Sequence, residues 1–359
     1  MEKAVFADRV HKMQACLTKK KIDAALVINT TIKDPNMLYF TDLELEYCFL
    51  VIPKKGEAVF LVSALEYERA KRYSPFSSVI SYKNPLQEIK KLLKGKKILG
   101  INEQYVTIFM HKALRKELQG HTFKPLQEIC RALRIIKSSE EIQLLQHAAA
   151  LADDIFETLC RELRSNRKKF VTETDIADFI ATEAKKRGTV VSFETIVASG
   201  KNAALPHYVP QPIRLQKGFC VLDFGVRYNN YISDISRTIY FGKPSDEERH
   251  AYNKVRQANE RAFAAVALKK KFSAIDAVSR SAIDYPHSLG HGIGIEVHEA
   301  PNVSPKSKDI IQENMCFTIE PGLYVPEQFG IRIEDDVWMT KTGPALLTKS
   351  SKELFSFDF

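Results

Sequence analysis

Between Pro286 and His298 the chain carries His287, His291 and His298 interleaved with Gly290, Gly292 and Gly294. A helix interior does not tolerate glycines this close together, since each costs about 1 kcal/mol relative to alanine. Dense glycine instead marks backbone that passes close to another group or turns through positive φ. Histidines set among such glycines point to a metal ion or a substrate as that group.

Four further segments, all in the last third of the chain or just before it, place carboxylates in strand-like runs. Asp223 closes Val-Leu-Asp-Phe-Gly at 221–225, and Asp234 sits inside the β-rich run 231–240. Glu320 ends Thr-Ile-Glu-Pro-Gly at 318–322, and Glu334 lies in Gly-Ile-Arg-Ile-Glu-Asp-Asp-Val at 330–337. One such carboxylate alone reads as a solvent-facing strand residue. Burying an ionised carboxylate without a partner costs several kcal/mol, so four together with a histidine ask for neutralisation by cations. Two divalent ions would supply it, and a carboxylate-rich set with one imidazole suits Mn²⁺, Co²⁺, Zn²⁺ or Fe²⁺ better than a thiolate-seeking metal.

In order and local context, Asp223, Asp234, His291, Glu320 and Glu334 resemble the five metal ligands of the creatinase/aminopeptidase P/prolidase/methionine aminopeptidase family. The resemblance is strong from the Leu-Arg-Ile-Ile-Lys-Ser-Ser-Glu-Glu segment at 133–141 onward. It is weaker before that, where Asn-Met-Leu-Tyr-Phe-Thr at 36–41 is similar to a turn of the family's smaller domain but lacks its glycine. It implies an α+β "pita-bread" catalytic domain at 131–359, with a curved antiparallel sheet and helices. A smaller α/β creatinase-like domain would precede it at 1–130. Asp223 would bind one metal through both oxygens, Asp234 and Glu334 would bridge two, and His291 and Glu320 would complete the second site. His207 and His287 are expected to face substrate, His298 to stabilise the tetrahedral intermediate, and Arg332 to brace the site. Glu320 doubles as the group that moves a proton from the attacking water, a hydroxide between two metals, to the leaving nitrogen.

The implied activity is metal-dependent cleavage of a peptide bond before proline at the second position. An Xaa-Pro aminopeptidase is put first, with manganese as the first-choice metal, and an Xaa-Pro dipeptidase is the alternative. A non-catalytic binding protein on the same fold is the reading of another class, and the presence of all five ligand types weighs against it. The resemblance further implies a homodimer. One departure stands out: the stretch between 274–283 and His287 is shorter than is usual in the family and lacks its Gly-Tyr-Gly-like turn.

The remaining properties bound the reading. The 359 residues suggest two domains, and 45% hydrophobic with 27% charged residues is ordinary globular composition. No apolar run is long enough for a membrane helix, and the first residues lack a secretory h-region, so no membrane partner is expected and the cytoplasm is the expected location. Cysteines 16, 48, 130, 160, 220 and 316 form no CxxC pair and read as reduced core residues. The net charge of +9 gathers partly in Lys19–Lys21, Lys94–Lys97 and Lys269–Lys271. These clusters read as solvated helix ends; with no interleaved aromatics, no nucleic-acid partner is expected.

To position the candidate site, the periodicity predicts helices at 5–20, 86–93, 110–118, 139–163, 172–186, 246–270 and 273–283. Strands are predicted at 24–28, 48–52, 58–62 and 97–101, with the carboxylate-bearing strands following. Ser138, Ser139 and Glu141 are start signals for the long helix, and Thr172 is the cap of the next.

Overall fold

The structure, a computed structural model, describes residues 1–359. The chain divides into two compact units, Met1–Arg134 and Ile135–Phe359.

The first unit alternates helices and strands. Its elements are α1 (Lys3–Lys20), β1 (Ala24–Asn29), α2 (Pro35–Thr41), β2 (Cys48–Pro53), β3 (Val59–Val62) and α3 (Tyr67–Tyr73). There follow β4 (Val79–Ser81), α4 (Pro85–Leu92), β5 (Ile98–Ile101), α5 (Ile108–Glu117), β6 (Thr122–Pro125) and α6 (Gln127–Arg134). The strands form one mixed sheet in the order β4-β3-β2-β1-β5-β6. β1 is buried at every position, as expected for a central strand covered on both faces. One segment departs from expectation: residues 35–41 form a helix instead of a turn. Asp34 caps it by accepting from the Asn36 amide, and Pro35 occupies its first turn. Asp-Pro is a helix-start signal, and it overrides the turn reading.

The second unit begins with α7 (Ser139–Ser165) and α8 (Glu173–Lys186), both closed by capping boxes, Ser138 with Glu141 and Thr172 with Asp175. The strands β7 (Val190–Val191), β8 (Ile196–Ser199), β9 (Gly218–Phe224), β10 (Val226–Tyr228), β11 (Tyr231–Ile232) and β12 (Ile235–Phe241) come next. Two helices follow, α9 (Asp246–Ala265) and α10 (Phe272–Arg280). The chain ends in β13 (Gly290–Gly292), β14 (Glu299–Val303), β15 (Cys316–Ile319), β16 (Gly322–Val325), β17 (Phe329–Arg332), β18 (Asp335–Met339), β19 (Pro344–Leu346) and β20 (Ser356–Phe357). Antiparallel pairing dominates: β12-β9-β8 form one layer and β14-β13-β15-β18-β19 another. One core packs α7 and α8 against β8, β9 and β12, through residues such as Leu159, Ile180, Leu222 and Ile239. A second packs α9 and α10 against β15, β17 and β18, through Val255, Phe272, Phe317 and Val337.

α9 stops at Ala265, short of the expected 270. Lys269 accepts a left-handed conformation, and its amide donates to the Ile311 carbonyl while Ile311 donates back to Lys270. Backbone pairing with a distant segment therefore replaces the last helical turn. Lys269–Lys271 thus does not end a helix, contrary to expectation; Lys271 is the N-cap of α10. Lys19 and Lys20 do lie in the last turn of α1, whereas Lys94–Lys97 follow the end of α4. No helix is long and apolar enough to cross a membrane. All six cysteines are free and all but Cys16 are buried; burial pushes the thiols of Cys48, Cys130, Cys160 and Cys316 up to about 12.

Candidate metal centre and substrate cavity

Adjacent antiparallel strands bring the carboxylates together. Asp223 on β9 lies opposite Ser236 on β12, and Asp234 immediately precedes β12. Glu334 falls between β17 and β18 and is tied to the same strand, its amide donating to the Ser236 carbonyl at 3.0 Å. His291 is the middle residue of β13, and Glu320 follows β15 with its amide bonded to the Leu289 carbonyl. The glycines around His291 do not adopt positive φ; they answer to close approach. A Cβ on Gly290 would lie 2.0 Å from the Thr318 carbonyl oxygen, and one on Gly292 2.1 Å from that of Ala300.

A single cavity of about 630 Å³ is lined by Asp223, Asp234, His291, Glu320 and Glu334, and also by His207, His287, His298 and Arg332. Ligand-type atoms of Asp234, His291 and Glu334 all lie within 4.8 Å of one another. Two of the carboxylates are half satisfied, and Asp234 has only a distant imidazole. Asp223 Oδ2 accepts from Arg332 Nη2 at 2.6 Å, and Glu334 Oε2 accepts from Ser236 Oγ at 2.8 Å. Asp234 Oδ2 lies 3.8 Å from His291 Nε2. The other oxygens, Asp223 Oδ1, Asp234 Oδ1 and Glu334 Oε1, are buried without a donor.

The electrostatics follow from that packing. Burial, reinforced by the neighbouring carboxylates, pushes Asp234 and Glu334 well above the usual carboxylate range. Burial would also raise Glu320, but hydrogen bonding from His291 Nε2 at 3.3 Å holds it below that range. His291 is correspondingly raised, the Glu320 partner outweighing desolvation. Its Nδ1 lies 3.2 Å from the Gly292 carbonyl, which can only accept. In the neutral ring the proton therefore stays on Nδ1, leaving Nε2 free to coordinate. Three orphaned carboxylate oxygens, a correctly oriented imidazole and a hard donor set fit divalent cations.

The other expected residues take distinct places. Arg332 is buried and bonded to Asp223, to Ser236 Oγ at 2.8 Å, to the Tyr324 hydroxyl at 3.1 Å and to the Pro206 carbonyl at 3.0 Å. His287 directs Nδ1 at the Ser288 carbonyl, 2.8 Å away, and Nε2 at the Tyr324 hydroxyl, 3.0 Å away. Burial holds His287 below its ordinary pKa, so the neutral ring donates to Ser288 and accepts from Tyr324. His298 meets the His291 ring edge-on at 4.4 Å; desolvation and then the His291 charge lower its pKa. His207 is exposed, on the loop that follows Pro206.

Several contributing residues carried no readable signal. Tyr324 joins Arg332 to His287. Asp336 stands behind the cluster, accepting the Asp234 amide at 3.0 Å. Glu173, entirely buried at the start of α8, accepts from the Ser199 amide and hydroxyl, from Asn202 Nδ2 and from the Gln211 amide. It thereby anchors both ends of the loop that carries His207. Only Ser236 was within reach of sequence reasoning, since strand alternation puts it on the same face as Asp234.

The sequence profile of metallopeptidase family M24 matches residues 143–341, and that of the creatinase/prolidase N-terminal domain matches residues 9–136. An Xaa-Pro dipeptidase of Pyrococcus furiosus is 34% identical, the match covering 97% of this chain and 99% of the relative. An Xaa-Pro dipeptidase structure from Bacillus anthracis superposes with a TM-score of 0.91 at 31% identity, covering 98% of this chain and 100% of that one. An X-Pro aminopeptidase from Thermotoga maritima is similar at TM-score 0.89 and 28% identity, over 97% of this chain and 99% of that one. With a creatinase-like first domain, a pita-bread second domain and a carboxylate-rich cavity in the latter, the chain belongs to metallopeptidase family M24.

Proposed function

We propose that this protein is an Xaa-Pro dipeptidase, hydrolysing the bond between an amino-terminal residue and a following proline. The observation that carries the metal-dependent part is the trio of orphaned buried oxygens on Asp223, Asp234 and Glu334, facing the same cavity as His291 and Glu320. Those five residues would hold two divalent cations, manganese first. When bound, the cations supply Lewis acidity and lower the pKa of a coordinated water toward neutrality.

The chain's own groups do the rest. Glu320, a carboxylate on the wall of the same cavity, is suited to receive the proton lost by the attacking water and to deliver it to the proline nitrogen. That proton lets the nitrogen leave as a neutral amine, as the hydrolysis of any amide requires. His298, at the cavity wall with a lowered pKa, is placed to donate a hydrogen bond to the substrate carbonyl as it gains charge. Arg332 fixes Asp223 and, through Pro206, the loop bearing His207. The products are a free amino acid and free proline.

The sequence expectation put an aminopeptidase first. The dipeptidase reading gains its support from relatives that carry that name and align over nearly the whole chain. One observation keeps the aminopeptidase as a second reading. A neighbouring cavity of about 570 Å³, sharing His207, Tyr208, Val209 and His287 with the first, offers room beyond the proline. A panel of Xaa-Pro dipeptides, Xaa-Pro-Yaa peptides and matched Xaa-Ala peptides, each with added Mn²⁺, Co²⁺ or Zn²⁺, tests both. We expect Xaa-Pro to be favoured over Xaa-Ala by at least about tenfold, or about 1.4 kcal/mol, and over Xaa-Pro-Yaa as well. Preferred cleavage of the longer peptides establishes the aminopeptidase instead, and equal cleavage of proline and alanine substrates overturns both.

A further inference from the structure

His287 is carried by residues 281–289, an irregular connection between α10 and β13. It is the stretch that is short and lacks a glycine turn. Something else must hold it, and the last residue of α10 does so. Arg280 Nη1 donates to the Tyr285 carbonyl at 2.7 Å and Nη2 to the His287 carbonyl at 2.6 Å. Its Nε is bonded to Asp276 Oδ2 at 2.9 Å, one helical turn back, and Asp276 is buried. The guanidinium also lies 4.1 Å from the centroid of the Tyr285 ring, which in turn packs 5.2 Å from the His287 ring.

We propose that Arg280 is a positioning residue that sets the placement of His287 in the substrate cavity by gripping the backbone of its short loop. The argument is geometric. Two carbonyls two residues apart are engaged by one planar fork whose third nitrogen is fixed by a buried carboxylate. That arrangement uses the rigid five-donor guanidinium, and an ammonium cannot reproduce it. The Tyr285–Pro286 and His287–Ser288 peptide planes, on either side of the Pro286–His287 pair, are then fixed. With its carbonyl held by Arg280 and its Nε2 held by Tyr324, the His287 ring is secured from two sides. A basic residue in the last helical turn also complements the helix dipole. Lysine would serve that purpose equally well, so Arg280→Lys separates the two roles.

The inference rests on His287 lying beside substrate, and its test is arranged to fail separately from that reading. Arg280→Lys is expected to melt near the wild type and keep its metals. It should raise KM for an Xaa-Pro dipeptide about tenfold with kcat changed less than about threefold, as for lost uniform binding. The double variant with His287→Ala is expected to show no further loss beyond His287→Ala alone, because the two residues act through one element. Independently of activity, deuterium uptake by 281–290 should accelerate in Arg280→Lys while 199–211 is unchanged. Additive losses in the double variant, an unchanged KM in an enzyme that does cleave Xaa-Pro, or unaltered uptake in 281–290 overturns the proposal. If the wild type cleaves no Xaa-Pro substrate, the uptake experiment alone decides it.

Discussion

Glu173 and Glu334 lie in the same unit, with relative exposures of 0% and 2%, and their surroundings differ in kind. Glu173 is wrapped by amide and hydroxyl donors from Ser199, Asn202 and Gln211, so its charge is compensated by the protein itself. Glu334 receives Ser236 on one oxygen, has an orphaned second oxygen, and faces other carboxylates. The first pattern belongs to a carboxylate that organises a loop. The second belongs to one whose partner comes from outside the chain. Burial alone does not separate structural from cation-binding carboxylates; the count of donors does.

The largest expected effect tests the Glu334 side. Asp234→Asn or Glu334→Gln should cut turnover at least about 10³-fold and lower metal content, since each would remove a carboxylate from the set proposed to hold the cations. The same variants, stripped of metal, are expected to melt higher than stripped wild type, because an amide avoids the cost of burying an ionisable carboxyl among other carboxylates, the cost that raises both groups. Two retained metals with near-normal turnover would falsify the dinuclear assignment. Next in size, His298→Ala should keep its metals and lose about 10²–10³ in kcat, as for one oxyanion donor. Loss of metal in that variant would make His298 a ligand.

The Glu173 side predicts the opposite sign in stability. Glu173→Gln should destabilise by roughly 2–4 kcal/mol with or without metal, because its amide nitrogen faces donors on one side and leaves them without an acceptor, and denaturant titration checks it. A metal-free variant that melts above metal-free wild type would erase the contrast with Glu334.

The smallest effect lies in the first unit, where Asp34 is a third kind of buried carboxylate. It accepts from Asn36 through both amide and side chain, yet burial prevails and raises it to about 6. A raised carboxylic acid holds its proton more tightly in the folded state. Its contribution is therefore complete below about pH 4 and is lost as pH rises through about 6, by no more than about 3 kcal/mol. Asn caps a helix as well as Asp does, so Asp34→Asn should gain stability relative to wild type between pH 4 and 8. A constant difference across that range counts against it.

Much of this was legible because it was local. The capping boxes of α7 and α8, the apolar runs of β1, β2 and β5, and the carboxylates anomalous within β-rich runs all declare themselves within a few residues. The Asp34-Pro35 start of α2 is equally local, although 36–41 reads as a turn on its likeness alone. What escaped was non-local. α9 is cut short by pairing with Ile311, which no window around Ala265 contains. Tyr324, Asp336 and Glu173 earn their places through contacts with distant segments, and Tyr, Asp and Glu are ordinary at those positions; Arg280 has partners nearby in sequence, but an arginine in a last helical turn is ordinary too. Even the glycines at 290 and 292 were read as either close approach or positive φ, and only the fold decides for the former.

That close approach constrains how the protein can change over evolutionary time. The wall bearing His291 is backbone laid on backbone, with carbonyl oxygens of Thr318 and Ala300 where side chains would begin. No substitution at Gly290 or Gly292 can reshape that wall without parting the strands. New substrate preferences must therefore be acquired elsewhere, on the loops 199–211 and 281–289. Those loops are tethered by a few side chains, Glu173 and Arg332 on the first and Arg280 and Tyr324 on the second, and have side chains to vary. The wall that bears His291 is fixed by a lack of space, while the loops have room to vary.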